Sequence, residues 1–114
     1  MLSQVPRSHA TSWTAVTVMD GGSDPMLCPF FGKCDGLLLI DADSGRKKFL
    51  PNEHRTAVSF CQLVVKASPD RLICGFIGEP EKRNLQAAGI DVRLGSLTYS
   101  VDELVACFCD LPAA

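Results

Sequence analysis

Leu72-Ile73-Cys74-Gly75-Phe76-Ile77-Gly78 is the stretch whose reading decides the fold of this chain. A run this apolar, with no polar alternation, suits a strand buried on both faces of a parallel sheet. Its neighbours read as helices. Upstream, over residues 54–68, Ala57, Phe60, Cys61, Val64 and Ala67 recur at helical spacing before a stop at Pro69. Downstream, Pro80 suits the first turn of a helix that runs through Leu85 to Gly89, and residues 90–94 form the next strand. Ser100-Val101-Asp102-Glu103 then has the form of a capping box, with Val101, Leu104, Val105 and Phe108 as the apolar stripe of a last helix.

The half of the chain before residue 54 has a different period. Residues 14–18 are rich in β-branched side chains and read as the first strand, ended by Asp20-Gly21-Gly22. Residues 37–41 are strongly apolar, Asp43-Ser44-Gly45 supplies turn chemistry, and the more polar residues 46–50 complete a hairpin. Lys47 and Lys48 mark that third strand as a sheet edge. Residues 1–12 are polar, contain Pro6 and show no period, so they read as a loose arm ahead of a single domain over 13–114. The order β-β-β-α-β-α-β-α predicts an α/β domain with a mixed five-stranded sheet flanked by helices. Ligands of such sheets sit beyond the carboxyl ends of the parallel strands, here residues 19–35, 76–80 and 95–99.

Composition excludes several function classes. The chain has 114 residues, 46% hydrophobic, which suits one compact domain. Eleven basic and 13 acidic residues leave a net charge of -2, with no basic stripe to hold nucleic acid. The longest aliphatic run, Leu37-Leu38-Leu39-Ile40, is far short of the roughly 20 residues of a membrane span. The polar start of the chain lacks the apolar core of a secretory signal, so the expected location is cytoplasmic. In that reducing setting the six cysteines are packing groups, ligands or redox groups, not a disulfide framework.

Cys28-Pro-Phe-Phe-Gly-Lys-Cys34 places two of them around a glycine turn, in the long loop where such a domain keeps its binding residues. Their spacing is neither that of a zinc knuckle nor that of a CxxC redox pair. Either the sulfurs bind a soft metal or cluster, or they tuck the loop against the sheet as small hydrophobes. His54, following the edge strand, is a further candidate ligand, against the plainer reading of a solvated residue at a helix start. Cys61 and Cys74 fall on core positions. Cys107 and Cys109, roughly 200° apart on a helix, cannot chelate one ion and are assigned to flanking or surface positions.

Four segments in order resemble the dinitrogenase iron-molybdenum cofactor-binding family of NifX-type and NifB-type proteins. They are Phe30-Phe31-Gly32-Lys33-Cys34, the strand Leu72 to Gly78, Leu85-Gln86-Ala87-Ala88-Gly89-Ile90-Asp91-Val92, and Ser100-Val101-Asp102-Glu103-Leu104. The resemblance spans about residues 16–111 and implies a ribonuclease H-like fold. It also implies a small non-catalytic carrier or chaperone of an iron-sulfur or iron-molybdenum cluster, with a cluster-donor or cluster-acceptor protein of metallocofactor assembly as partner. Phe30 stands where the family has its loop histidine, and phenylalanine coordinates nothing. Cys28 and Cys34, as metal ligands, and His54 are then the residues expected to bind the cluster. The alternative is an interaction or regulatory domain that has lost cluster binding, with Phe30 and Phe31 as a contact patch.

Two further readings have less to support them. A nuclease on this fold would need metal-binding carboxylates, for which Asp20, Asp41 and Asp43 are the candidates, but turn chemistry explains them better. A thiol redox enzyme would need a cysteine with depressed pKa, and only Lys33 is nearby to supply the charge. Gly75-Phe-Ile-Gly78 lacks the third glycine of a dinucleotide fingerprint.

Overall fold

The sheet is built outward from the β-branched segment Trp13–Met19 (β1), and the computed structural model describes residues 13–19 and 25–114. The expected arm over 1–12 and the Asp20-Gly21-Gly22 turn lie outside those residues. The remaining elements are Met26–Leu27 (β2), Gly36–Asp41 (β3), Lys47–Pro51 (β4), Ala57–Ala67 (α1), Arg71–Cys74 (β5), Glu79–Ala87 (α2), Asp91–Leu94 (β6) and Val101–Ala106 (α3). Single 3-10 turns cover Phe31–Lys33 and Phe108–Asp110.

The strand order is β4-β3-β1-β5-β6, a mixed sheet as expected. β1 runs antiparallel to β3, with Thr17 opposite Leu37, and parallel to β5, with Ala15 opposite Leu72. The two-residue β2 is an addition to the expected five strands. It pairs with the end of β1 beyond β5, Val18 opposite Leu27, inside what the sequence shows as an unbroken loop.

Alternation along the strands sorts the core into two layers. Ala15, Leu37, Leu39, Leu72, Cys74 and Val92 meet Phe60, Cys61 and Val64 of α1 and Leu85 of α2 on one face. Val16, Val18, Leu38, Ile40 and Ile73 meet Val101 and Leu104 of α3, with Phe108 and Leu111, on the other. Helices therefore cover both faces, which is why β3 and β5 read as apolar runs. Each fully buried Leu, Val or Phe contributes about 1.5–3 kcal/mol.

Element ends differ from the sequence expectation for local reasons. α1 begins three residues later than residue 54, because Arg55 takes a left-handed φ of 54° and Thr56 caps the helix by accepting from the Ser59 amide. β5 ends at Cys74 instead of Ile77, since the chain after it turns to meet the Phe30 loop. β4 ends the strand order on one side among the described residues, as its lysines indicate. The β6 edge is covered: Leu94 N donates to Pro112 O (2.9 Å) and Ala114 N to Val92 O (3.1 Å). Arg93 fastens this tail by donating to the carbonyls of Phe108, Cys109 and Leu111, while Asp91 holds its guanidinium through two bonds.

Candidate functional site

Beyond the carboxyl ends of β1, β5 and β6, the loop over residues 25–35 crosses the segment that follows β5. Phe76 N donates to Pro29 O (2.8 Å), and Phe31 N donates to Phe76 O (2.9 Å). The crossing depends on Gly75, since a Cβ there would meet the carbonyl oxygens of Pro29 and, at 2.6 Å, of Cys28. Gly32 is required for the same kind of reason: its Cβ would lie 2.8 Å from the backbone of Ala57 at the start of α1. Phe31 then packs edge-on against Phe60 with ring centroids 4.9 Å apart, pinning the turn to α1.

Cys28 and Cys34 come together beneath this turn. Both belong to the buried cluster that also holds Phe31 and Phe60. The two cysteines are 1% and 0% exposed. Cys28 Sγ donates to Phe30 O (3.1 Å) and Cys34 Sγ to Phe31 O (3.3 Å). Loss of water pushes both thiols above their ordinary range, Cys34 to about 12. Asn52 at the end of β4 reaches the same place, its Nδ2 donating to Cys34 O (3.0 Å) and Gly32 O (3.2 Å) and lying 3.9 Å from Cys34 Sγ. Its Oδ1 accepts from the Arg55 amide.

His54 does not join the thiols. It is exposed in the β4–α1 turn, at the same end of the sheet, one residue before Arg55. No cluster of three His, Cys, Asp or Glu side chains with metal-holding geometry forms among the described residues. Two buried, protonated thiols that spend their hydrogens on backbone carbonyls do not fit a multi-iron cluster, which needs more ligands and more room. Cys61 and Cys74 are core, Cys74 also pushed to about 12 by burial. Cys107 is half-buried after the end of α3 and Cys109 is exposed. Asp41 and Asp43 form a turn, Asp43 N donating to Asp41 Oδ1, at the opposite end of the sheet. Asp20 is outside the described residues.

The surface beside the buried thiols is open. One hollow of about 480 Å³ is walled by Pro29, Gly75, Phe76, Ile77, Leu94, Gly95, Leu97 and Ala114, with Lys82 as its charged residue. A second, of about 430 Å³, lies between the Phe30 turn and α1 and carries Lys33, Arg55 and Glu81. Phe76, 71% exposed, borders both, and Phe30, 55% exposed, stands beside it. Lys82 pairs with Glu79 (3.1 Å) and Arg55 with Asp35 (2.8 Å), so both cations are held in place. Sequence reasoning missed Asn52, Phe76 and Lys82 as site residues. An apolar residue expected inside a strand gives no sign that it will face solvent.

The chain matches the family described as dinitrogenase iron-molybdenum cofactor over residues 13–111. No curated protein sequence matches it. Among solved structures, it is similar to the apo form of the orange protein from Desulfovibrio gigas, with a TM-score of 0.80 and 28% identity over 91% of this chain and 93% of that one. A protein described as NifB from Thermotoga has the same fold, with a TM-score of 0.73 and 21% identity over 90% and 93% of the two chains. So does one described as a dinitrogenase from Methanocaldococcus jannaschii, with 0.71 and 17% over 91% and 95%.

Proposed function

The chain belongs to the dinitrogenase iron-molybdenum cofactor family, and from that membership we propose that it is a small, non-catalytic, cytosolic carrier. Its cargo is an iron-sulfur or iron-molybdenum cluster, or a precursor, received from one assembly protein and passed to another. The observation that carries this reading is the open hollow at the carboxyl ends of β5 and β6, apolar on most sides with Lys82 at its margin. Sulfide-faced clusters are soft and anionic. Apolar walls and a fixed ammonium hold such a cargo by packing and charge and release it again, where a closed cage of four thiolates retains its metal. In this proposal Cys28, Cys34 and His54 serve the cluster as supplementary ligands at most, the two thiols only when the Phe31–Lys33 turn lifts.

Anaerobic reconstitution with iron, sulfide and molybdate, followed by desalting, metal analysis and visible absorbance, tests the proposal. Wild-type protein should retain metal, and Phe76→Asp and Lys82→Glu should lose it while staying folded. A wild type that comes off the column colourless and metal-free would refute it. The exposure of Phe30 and Phe76 favours a second reading, a protein-interaction or regulatory domain that has lost cluster binding. Under that reading Phe30→Asp abolishes partner capture from an assembly-protein mixture and no variant affects metal content.

A further inference from the structure

The outer side of α1 and α2 leaves apolar surface uncovered. Among the described residues, the α-helices expose two large apolar side chains, Val58 at 64% and Val65 at 40%, and both belong to α1. They are two helical turns apart, so they lie on one side of the helix, with Cys61 and Gln62 between them. This stripe, together with Glu81 and Asn84 of α2, walls a groove of about 440 Å³ that shares no residue with the cargo hollow.

The two ends of the groove carry opposite charge. Lys66 stands in the last turn of α1. Glu81 stands towards the other end: its carbonyl accepts from Cys61 Sγ (3.8 Å), and it borders the second hollow beside Thr56 and Ala57. Neither side chain has an ion-pair partner among the described residues. Both suit the dipoles of their own helices, but the dipoles do not account for the valines between them. A two-fold axis maps the whole pattern onto itself. With two copies of α1 antiparallel about the midpoint of residues 61 and 62, Val58 falls opposite Val65 of the second copy, and Lys66 comes to the end that holds Glu81. Gln62 then sits half a residue from the axis, its two copies about 1.5 Å apart along the helix. Its amide holds both a donor and an acceptor, so it can pair with itself.

We infer that the α1–α2 groove is the interface of a homodimer, two copies packed groove to groove about a two-fold axis beside Gln62. Such an interface is isologous, so each valine contact and each Lys66–Glu81 pair is made twice. Its small size puts it among weak, concentration-dependent assemblies. The dimer does not depend on the carrier reading, since the groove and the cargo hollow are separate.

The test is sedimentation equilibrium of the full chain up to roughly 0.5 mM, the range in which small interfaces form. The parent should dimerise, and Val58→Asp, at a solvent-exposed site that leaves the fold intact by circular dichroism, should be monomeric. Lys66→Glu should weaken the dimer roughly 10-fold or more by setting like charges face to face, and adding Glu81→Lys should bring it back to within about threefold of the parent. In a Cys107→Ser/Cys109→Ser background that removes the accessible thiols, Gln62→Cys should be joined between copies by a short bis-maleimide, and Asp102→Cys, on α3 across the sheet, should not. A parent that stays monomeric overturns the inference and leaves the groove to a helix of another protein. A dimer that Val58→Asp or Lys66→Glu leaves unchanged, a charge reversal without recovery, or cross-linking through Asp102→Cys in place of Gln62→Cys overturns it equally.

Discussion

Replacing Asn52 with alanine cuts the tie between β4 and the Phe30 turn, and the cost follows from what is left behind. The bond to Cys34 O is buried, so its loss leaves a carbonyl with no partner, about 1–3 kcal/mol. The bonds to Gly32 O and from the Arg55 amide are part-buried, and water recovers some of their energy. The expected total is about 2–4 kcal/mol, read by urea denaturation followed by circular dichroism. Local opening should change as well. If the turn opens more easily by about 2 kcal/mol, alkylation of Cys34 in the native state speeds up roughly 30-fold. Asn52→Asp is the informative partner variant, since its carboxylate keeps an acceptor for Arg55 N but faces two carbonyls with no hydrogen to offer, and should fare worse than alanine. An alanine variant within about 0.5 kcal/mol of wild type, with unchanged labelling, would refute the clamp.

Gly75→Ala should destabilise by about 1–3 kcal/mol and open the first hollow, since its methyl collides with the carbonyls of Cys28 and Pro29; denaturant midpoints read it. Ser100→Ala deletes the side chain that accepts from Glu103 N in a complete capping box, and should cost about 1 kcal/mol by thermal melting. Arg93→Ala should free the tail from β6, detected as faster hydrogen exchange at the Ala114 and Leu94 amides with the exchange of β1 unchanged. Stability should also fall at alkaline pH. The Cys34 thiol keeps its proton to about 12 when folded but loses it near 9.0 when unfolded. The folded state then binds more protons above 9.0, so its stability falls as pH rises from there towards 12. Cys34→Ala should flatten that slope, and equal slopes in the two proteins would contradict the burial.

Most of the architecture was legible because it rests on period and punctuation. The unbroken apolar runs around Leu38 and Ile73 announced strands covered on both faces, Lys47 and Lys48 announced the open edge, and Ser100 with Glu103 announced a cap whose two bonds both form. What stayed hidden depends on meetings between distant segments. β2 owes its two residues to the end of β1, and the early end of β5 to the Pro29 backbone lying on Gly75. Cys28 and Cys34 were legible as a pair of interest. That both are buried beneath the Phe31–Lys33 turn, with Asn52 beside Cys34, follows from pairings of β1 with β2 and of β4 with β3 that no local pattern encodes.

The crossing of Phe30 over Phe76 also bears on how the molecule is made. β1 is the first of the described strands and the middle one in the sheet, so β3 and β4 can add to it early, while β5 and β6 wait for long-range parallel pairing, an intrinsically slow step. The second hollow draws Phe30 and Arg55 from the early part of the chain and Phe76 and Glu81 from the late part. A guest seated across that seam staples the late half to the early one, so loading should retard global unfolding and proteolysis of the entire domain.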